Sequence, residues 1–115
     1  MDVYTYQIAQ WRKVDKLGIE RLDITVKSGE ALLAPTWTLL MGYKKGYVDE
    51  DKYTKTYLSL LEERYLSHPD YFEALSLKPI IALGCYCRAG VFCHRLLLVK
   101  FLESKINLNY IGEIK

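Results

Sequence analysis

At 115 residues, half of them hydrophobic (50%) and about a quarter charged (26%), the chain has room for one domain with a single core and is too apolar to stay disordered. Its net charge of +2 gives no bulk electrostatic case for a nucleic-acid or membrane partner, and neither is expected. Three cysteines crowded into one short segment do not make a secreted disulfide framework.

No apolar run reaches the roughly 18 residues of a membrane span. No basic segment followed by an apolar run opens the chain. A reducing, cytoplasmic setting is therefore expected. Ten tyrosines are unusual for this length and suit half-buried faces, cleft walls and contact surfaces.

Residues 3–8 alternate and are rich in β-branched and aromatic side chains, which predicts a first strand. Residues 10–17 fit a short helix that carries Trp11, Val14 and Leu17 along one side and stops at Gly18. Residues 20–26 predict a second strand with Leu22, Ile24 and Val26 on one face. Its closing turn, residues 25–29, offers Thr25, Lys27, Ser28 and a glycine, a set that suits phosphate as well as plain solvent. Pro35 is placed in the first turn of a helix that includes Trp37 and ends between Gly42 and Gly46.

Asp49 with Glu50 and Asp51 opens the strongest helix, with Tyr53, Tyr57, Leu60, Leu61 and Tyr65 at helical spacing as a core stripe. His68-Pro69-Asp70 breaks it and starts a shorter helix over residues 70–77. Residues 79–85 form an apolar run without alternation, as in a central strand covered on both faces. An Arg-Ala-Gly turn then leads into a leucine-rich helix, and residues 107–111 predict a last short strand.

This order gives a small three-layer α/β fold, Rossmann-like or flavodoxin-like, with a mostly parallel sheet of about four strands. Ligands in such folds sit beyond the carboxyl ends of the strands. That rule gathers Trp11-Arg12, residues 25–29 and residues 85–95 on one edge.

All three cysteines, His94 and two arginines fall within residues 85–95. A metal site is not expected, because Cys85 and Cys87 lie two apart on a strand and paired Cys-x-x-Cys knuckles are absent. A phosphatase-type loop needs an arginine six positions after its cysteine. Cys93 stands there for Cys87 and Val91 for Cys85. A redox pair of Cys87 with Cys93 stays open. Anion binding needs the fewest assumptions: Gly90 admits a ligand to the backbone, and Arg88 and Arg95 can fork onto phosphate. Cys85 is expected as a small buried hydrophobe.

Residues 83–98, Leu-Gly-Cys-Tyr-Cys-Arg-Ala-Gly-Val-Phe-Cys-His-Arg-Leu-Leu-Leu, resemble the signature of the DUF488-like family. These are small bacterial and phage proteins whose last strand–helix unit carries a cysteine, a spacer and Cys-His-Arg. Trp11-Arg12, residues 25–29 and residues 34–37 are similar to the phage-type members. The resemblance spans residues 1–115 as one DUF488-like domain. It implies Cys87, Cys93, His94 and Arg95 as signature positions and implies no particular reaction.

The leading expectation is binding of a small phosphorylated or nucleotide-like ligand, with hydrolysis or transfer of part of it left open. Arg88, Arg95 and Lys27 would neutralise the anion, and Arg12, Thr25, Ser28, Gly90 and Cys93 would line the site. His94 is the acid–base candidate, Trp11 or Trp37 the stacking ring, and Cys87 the reserve nucleophile. No cofactor is expected, and the setting is the host cytoplasm if the protein is phage-encoded. Two alternatives stand beside it: a non-enzymatic interaction protein, such as a phage-encoded inhibitor with a tyrosine-rich surface, and a thiol redox or zinc-binding protein. A homo-oligomer is compatible with all three.

Overall fold

The computed structural model describes residues 1–87 and 92–115. The chain runs β1 (Asp2–Gln7), a 3-10 turn (Ile8–Gln10), α1 (Trp11–Lys16), β2 (Glu20–Asp23), α2 (Trp37–Lys44), α3 (Glu50–Ser67), α4 (Pro69–Ser76), β3 (Ile80–Cys85), α5 (His94–Lys105) and β4 (Asn109–Ile114). The four strands lie in the order β2-β3-β1-β4, and every pairing is parallel. The expected mostly parallel sheet is thus wholly parallel. Its architecture is that of a Rossmann-like or flavodoxin-like α/β fold.

Alternation along the two central strands divides the interior into two unequal cores. Val3, Ile81, Leu83 and Cys85 face α2 to α5, where Tyr53, Tyr57, Leu61, Phe72, Leu75, Leu98 and Leu102 complete the main core. Tyr6 and Ala82 face the other way and meet Val14 of α1 and Ile19. Each large aliphatic side chain buried in the main core contributes about 1.5–3 kcal/mol, so the four-helix side dominates stability. The single short helix α1 forms the thin third layer.

The helix starts follow local chemistry. Asp49 accepts a hydrogen bond from the Lys52 amide at 2.8 Å, and Glu50 and Asp51 place negative charge in the first turn of α3. Thr36 caps α2 by accepting from the Leu39 amide at 3.1 Å, so Pro35 precedes the cap instead of standing in the first turn. Pro69 occupies the first turn of α4.

Two strands depart from the sequence expectation, and both departures shape the site. β2 ends at Asp23, because the Asp23 carboxylate accepts from the Thr25 amide at 2.8 Å and turns the chain there. β4 continues to Ile114, past a register shift that carries the pairing from Val3↔Tyr110 to Tyr4↔Gly112. The shift absorbs one residue and brings Glu113 level with Thr5.

Gly84 pairs with Tyr6, whose ring lies over the glycine. A β-carbon at position 84 would collide with that ring, which is itself buried among Val14, Ile19 and Ala82. Gly84→Ala should therefore lower unfolding stability by about 1–3 kcal/mol in urea titration. A loss below about 0.5 kcal/mol would show that the α1 side repacks freely.

Candidate functional site

The site forms where β3 ends and α5 begins. Cys85 is the last residue of β3, on the face toward α5. Cys93 stands at the N-cap of α5 in extended conformation, and its side chain makes no capping bond, so the thiol turns back to the sheet. The two sulfurs approach to 2.7 Å and both are unbonded thiols, buried with about 1% and 4% exposure. Cys87 is a third free thiol, half-buried, just beyond the strand end.

His94 ties this cluster to the turn that follows β2. Its Nε2 lies 2.8 Å from the Ile24 carbonyl oxygen. A carbonyl can only accept, so Nε2 carries the proton and Nδ1 keeps its lone pair. That lone pair faces Cys93 Sγ at 3.8 Å. Tyr57 packs edge-on against the imidazole with ring centroids 5.7 Å apart.

Arg95 joins the cluster to β4. Its Nη1 donates to Cys85 Sγ and to the Cys87 carbonyl, both at 2.8 Å, and lies 3.6 Å from Cys93 Sγ. On the other side Nε and Nη2 donate to the two carboxylate oxygens of Glu113 at 3.2 and 3.0 Å. Thr5 gives its hydroxyl proton to Glu113 at 2.6 Å, so the Tyr110 hydroxyl, 2.6 Å from Thr5 Oγ1, must donate to Thr5. Donors from both sides therefore converge on Glu113, Tyr110 through Thr5 from one and Arg95 from the other, and Arg95 carries the hydrogen-bond chain on to the thiols.

Charge follows this geometry. The Cys87 thiol is held below its usual range by the neighbouring Cys85 and Cys93 thiols, and the positive field of Arg95 adds to this. Cys85 and Cys93 are pushed up by the same closeness of the thiols, with burial adding to it. Arg95 contacts the sulfur of Cys85 but only the carbonyl of Cys87, so its field reaches the Cys87 thiolate without a direct bond. Burial lowers the His94 pKa despite the Ile24 hydrogen bond, which leaves the ring neutral near pH 7. Burial penalises the Arg95 cation, and the Cys85 contact, Cys93 and Glu113 more than restore it. Asp23 would be raised by burial, but Thr25 and Ser28 donate to it and hold it below the usual carboxylate range.

The structure brings together Cys87, Cys93, His94 and Arg95. It adds Cys85 and Glu113, which sequence reasoning did not place in the site. Arg95 is about 1% exposed and directs four of its five N–H groups to Glu113, Cys85 and the Cys87 carbonyl, so it braces the site from inside. His94 is about 6% exposed, with both ring nitrogens directed inward. Thr25 and Ser28 bond to each other and to Asp23, which puts a carboxylate where an open phosphate loop was expected. Lys27 is exposed in the same loop.

Trp11 and Arg12 do not join the cluster. The Trp11 ring lies under Arg12 and Arg21, on the α1 side of the sheet. Trp37 is exposed at the start of α2. Arg88 and Gly90 lie outside the described residues.

A cleft of about 70 Å³ opens beside the thiols, walled by Leu40, Tyr43, Tyr53 and Phe92, with Cys87, Cys93 and His94 at its base and Lys44 at its rim. At about 30 Å³ per water it holds a few heavy atoms, enough for a reacting group but not for a whole nucleotide. A roomier hollow of about 410 Å³ lies among Tyr65, Phe72, Glu73 and Ile106, where no comparable cluster of thiols and charge exists among the described residues. Among the described residues the only group of three or more side chains placed to hold a metal is Cys85, Cys93 and His94. No described helix is long and apolar enough to cross a membrane.

A family model described as the active DUF488-N3 subclade, DUF488-N3a, matches residues 9–106. Comparison with curated proteins and with solved structures gives no match.

The depressed Cys87 pKa has a direct readout, because the thiolate is the form that reacts with iodoacetamide. An ordinary thiol gains roughly 75-fold in rate from pH 6 to pH 8, as its ionised fraction rises. A Cys87 pKa held below that range predicts that its alkylation, read by peptide mass, changes by less than about twofold over that window. A rate that climbs like an ordinary thiol would show that the cluster does not hold the charge on Cys87.

Proposed function

The chain belongs to the DUF488-N3a family, and from that footing we propose that it binds a small phosphorylated or nucleotide-like ligand at the carboxyl edge of its sheet. Cys87 then takes part in cleaving or transferring a portion of the ligand. The observation that carries this reading is the position of Cys87, a half-buried thiol at the base of an aromatic-walled cleft beyond the end of a central strand.

Each part of the cleft has a role in this reading. The cleft admits the reacting group between Tyr43, Tyr53 and Phe92, while the rest of the ligand lies outside along the exposed edge. Lys44 at the rim and Lys27 in the loop after β2 supply positive charge to the anionic part. Cys87 forms a bond to the electrophilic centre as the leaving group departs with its electron pair, and water or a second acceptor then takes up the transferred group. Burial raises the Tyr53 pKa, so its hydroxyl remains a donor near pH 7 and can hydrogen-bond the departing group. Arg95 and His94 act here by holding the thiols in place.

The test is calorimetric titration with nucleosides, nucleoside mono-, di- and triphosphates and inorganic phosphate. At least one phosphorylated nucleoside should bind more tightly than its nucleoside, and Lys44→Ala should weaken it about tenfold, the loss of one phosphate-directed charge contact. Cys87→Ser should keep the binding and abolish turnover of the bound ligand. If no phosphorylated compound binds better than its unphosphorylated partner, the reading is wrong.

A further inference from the structure

We infer that Cys85, Cys93 and His94 form a three-ligand site for a zinc-class divalent metal, with its fourth position open to the cleft. Reading the sequence alone disfavours a metal because Cys85 and Cys87 make a poor ligand pair. The fold selects a different set. It joins the end of β3 to the start of α5, and places two thiol sulfurs and a histidine nitrogen within 4.8 Å of one another, all three side chains buried.

Three independent features fit a metal there. The imidazole is already oriented as a ligand: Nε2 is engaged at 2.8 Å by the Ile24 carbonyl, which leaves the Nδ1 lone pair directed at the sulfurs. A backbone carbonyl on the second nitrogen is the usual device for fixing a metal-bound histidine. The spacing of Cys93 Sγ from Nδ1, 3.8 Å, is close to the roughly 3.6 Å that tetrahedral zinc imposes between a sulfur and a nitrogen ligand. The cleft touches Cys93 and His94 directly, which provides both an entry path and the open fourth position.

Charge balance also favours it. One divalent cation with two thiolates and a neutral histidine is neutral, and the adjoining Arg95–Glu113 pair is neutral as well. The metal centre itself can therefore be buried without adding a net charge. Arg95 Nη1, 2.8 Å from Cys85 Sγ, would donate to a coordinated thiolate. Cys85 and Cys93, at 2.7 Å, must separate by about 1 Å to span a tetrahedral edge. A cation held between the two sulfurs would set that wider spacing. Cys87 lines the same cleft but is not one of the three placed ligands.

The experiment combines native mass spectrometry of the purified protein with cobalt(II) titration of the metal-stripped, thiol-reduced chain. One zinc per chain is expected, together with a sulfur-to-cobalt charge-transfer band and tetrahedral ligand-field bands at one equivalent. Cys93→Ser and His94→Gln should each weaken cobalt binding by about tenfold or more, and Cys87→Ser should leave it within about twofold. The wild-type spectrum keeps the test decisive if a ligand variant fails to fold. No cobalt band from the reduced wild type, a mass two hydrogens lighter from a Cys85–Cys93 disulfide in place of bound metal, or equal loss on Cys87→Ser would overturn the assignment. None of these outcomes depends on whether a nucleotide binds.

Discussion

The bidentate pair between Arg95 and Glu113 is the constraint on which the rest of the site depends. Arg95 lies in the first turn of α5, and Glu113 lies on β4, the strand that α5 leads into. A guanidinium about 1% exposed is tolerated only if a carboxylate and further acceptors meet its donors. Glu113 supplies the charge, while Cys85 and the Cys87 carbonyl accept from Nη1. The pair thereby sets the position of α5 against the sheet edge, and with it the distance between Cys85 and Cys93.

This arrangement reassigns the polar residues of the site. Arg95 and His94 look like ligand-handling groups when read as a string, because both are ionisable and both open a helix. In three dimensions they face inward and hold sulfur, whereas Cys87 meets the cleft. Positive charge available to an anion comes from exposed lysines, Lys44 at the cleft rim and Lys27 after β2. The arrangement is thus a cluster of thiols braced by charge.

The sheet was legible because its central strands carry strong local signals: apolar continuity over residues 80–85 and β-branched, aromatic alternation over residues 2–7. The long helix was legible through its Asp49 cap and tyrosine stripe. What escaped were features decided by tertiary partners. β2 stops at Asp23 because one carboxylate turns the chain, and no periodicity records that. β4 extends through a register shift to Glu113, and nothing local marks Glu113 as the partner of an arginine 18 residues earlier. A buried arginine in an otherwise apolar helix face was the available signal, since such a charge demands an acid. Trp11 was assigned to the site because it follows a strand end. The side of the sheet on which α1 packs, toward Arg21, removes it.

The most direct measurement is a double-mutant cycle on Arg95 and Glu113, with unfolding free energies of wild type, Arg95→Met, Glu113→Gln and the double variant. Each single change leaves one buried partner unmatched and should cost about 3 kcal/mol or more. The double variant should recover part of this, giving a coupling of about 2 kcal/mol, because the two losses are one interaction counted twice. Additive losses, with a coupling below about 0.5 kcal/mol, would contradict the claim that this pair organises the site.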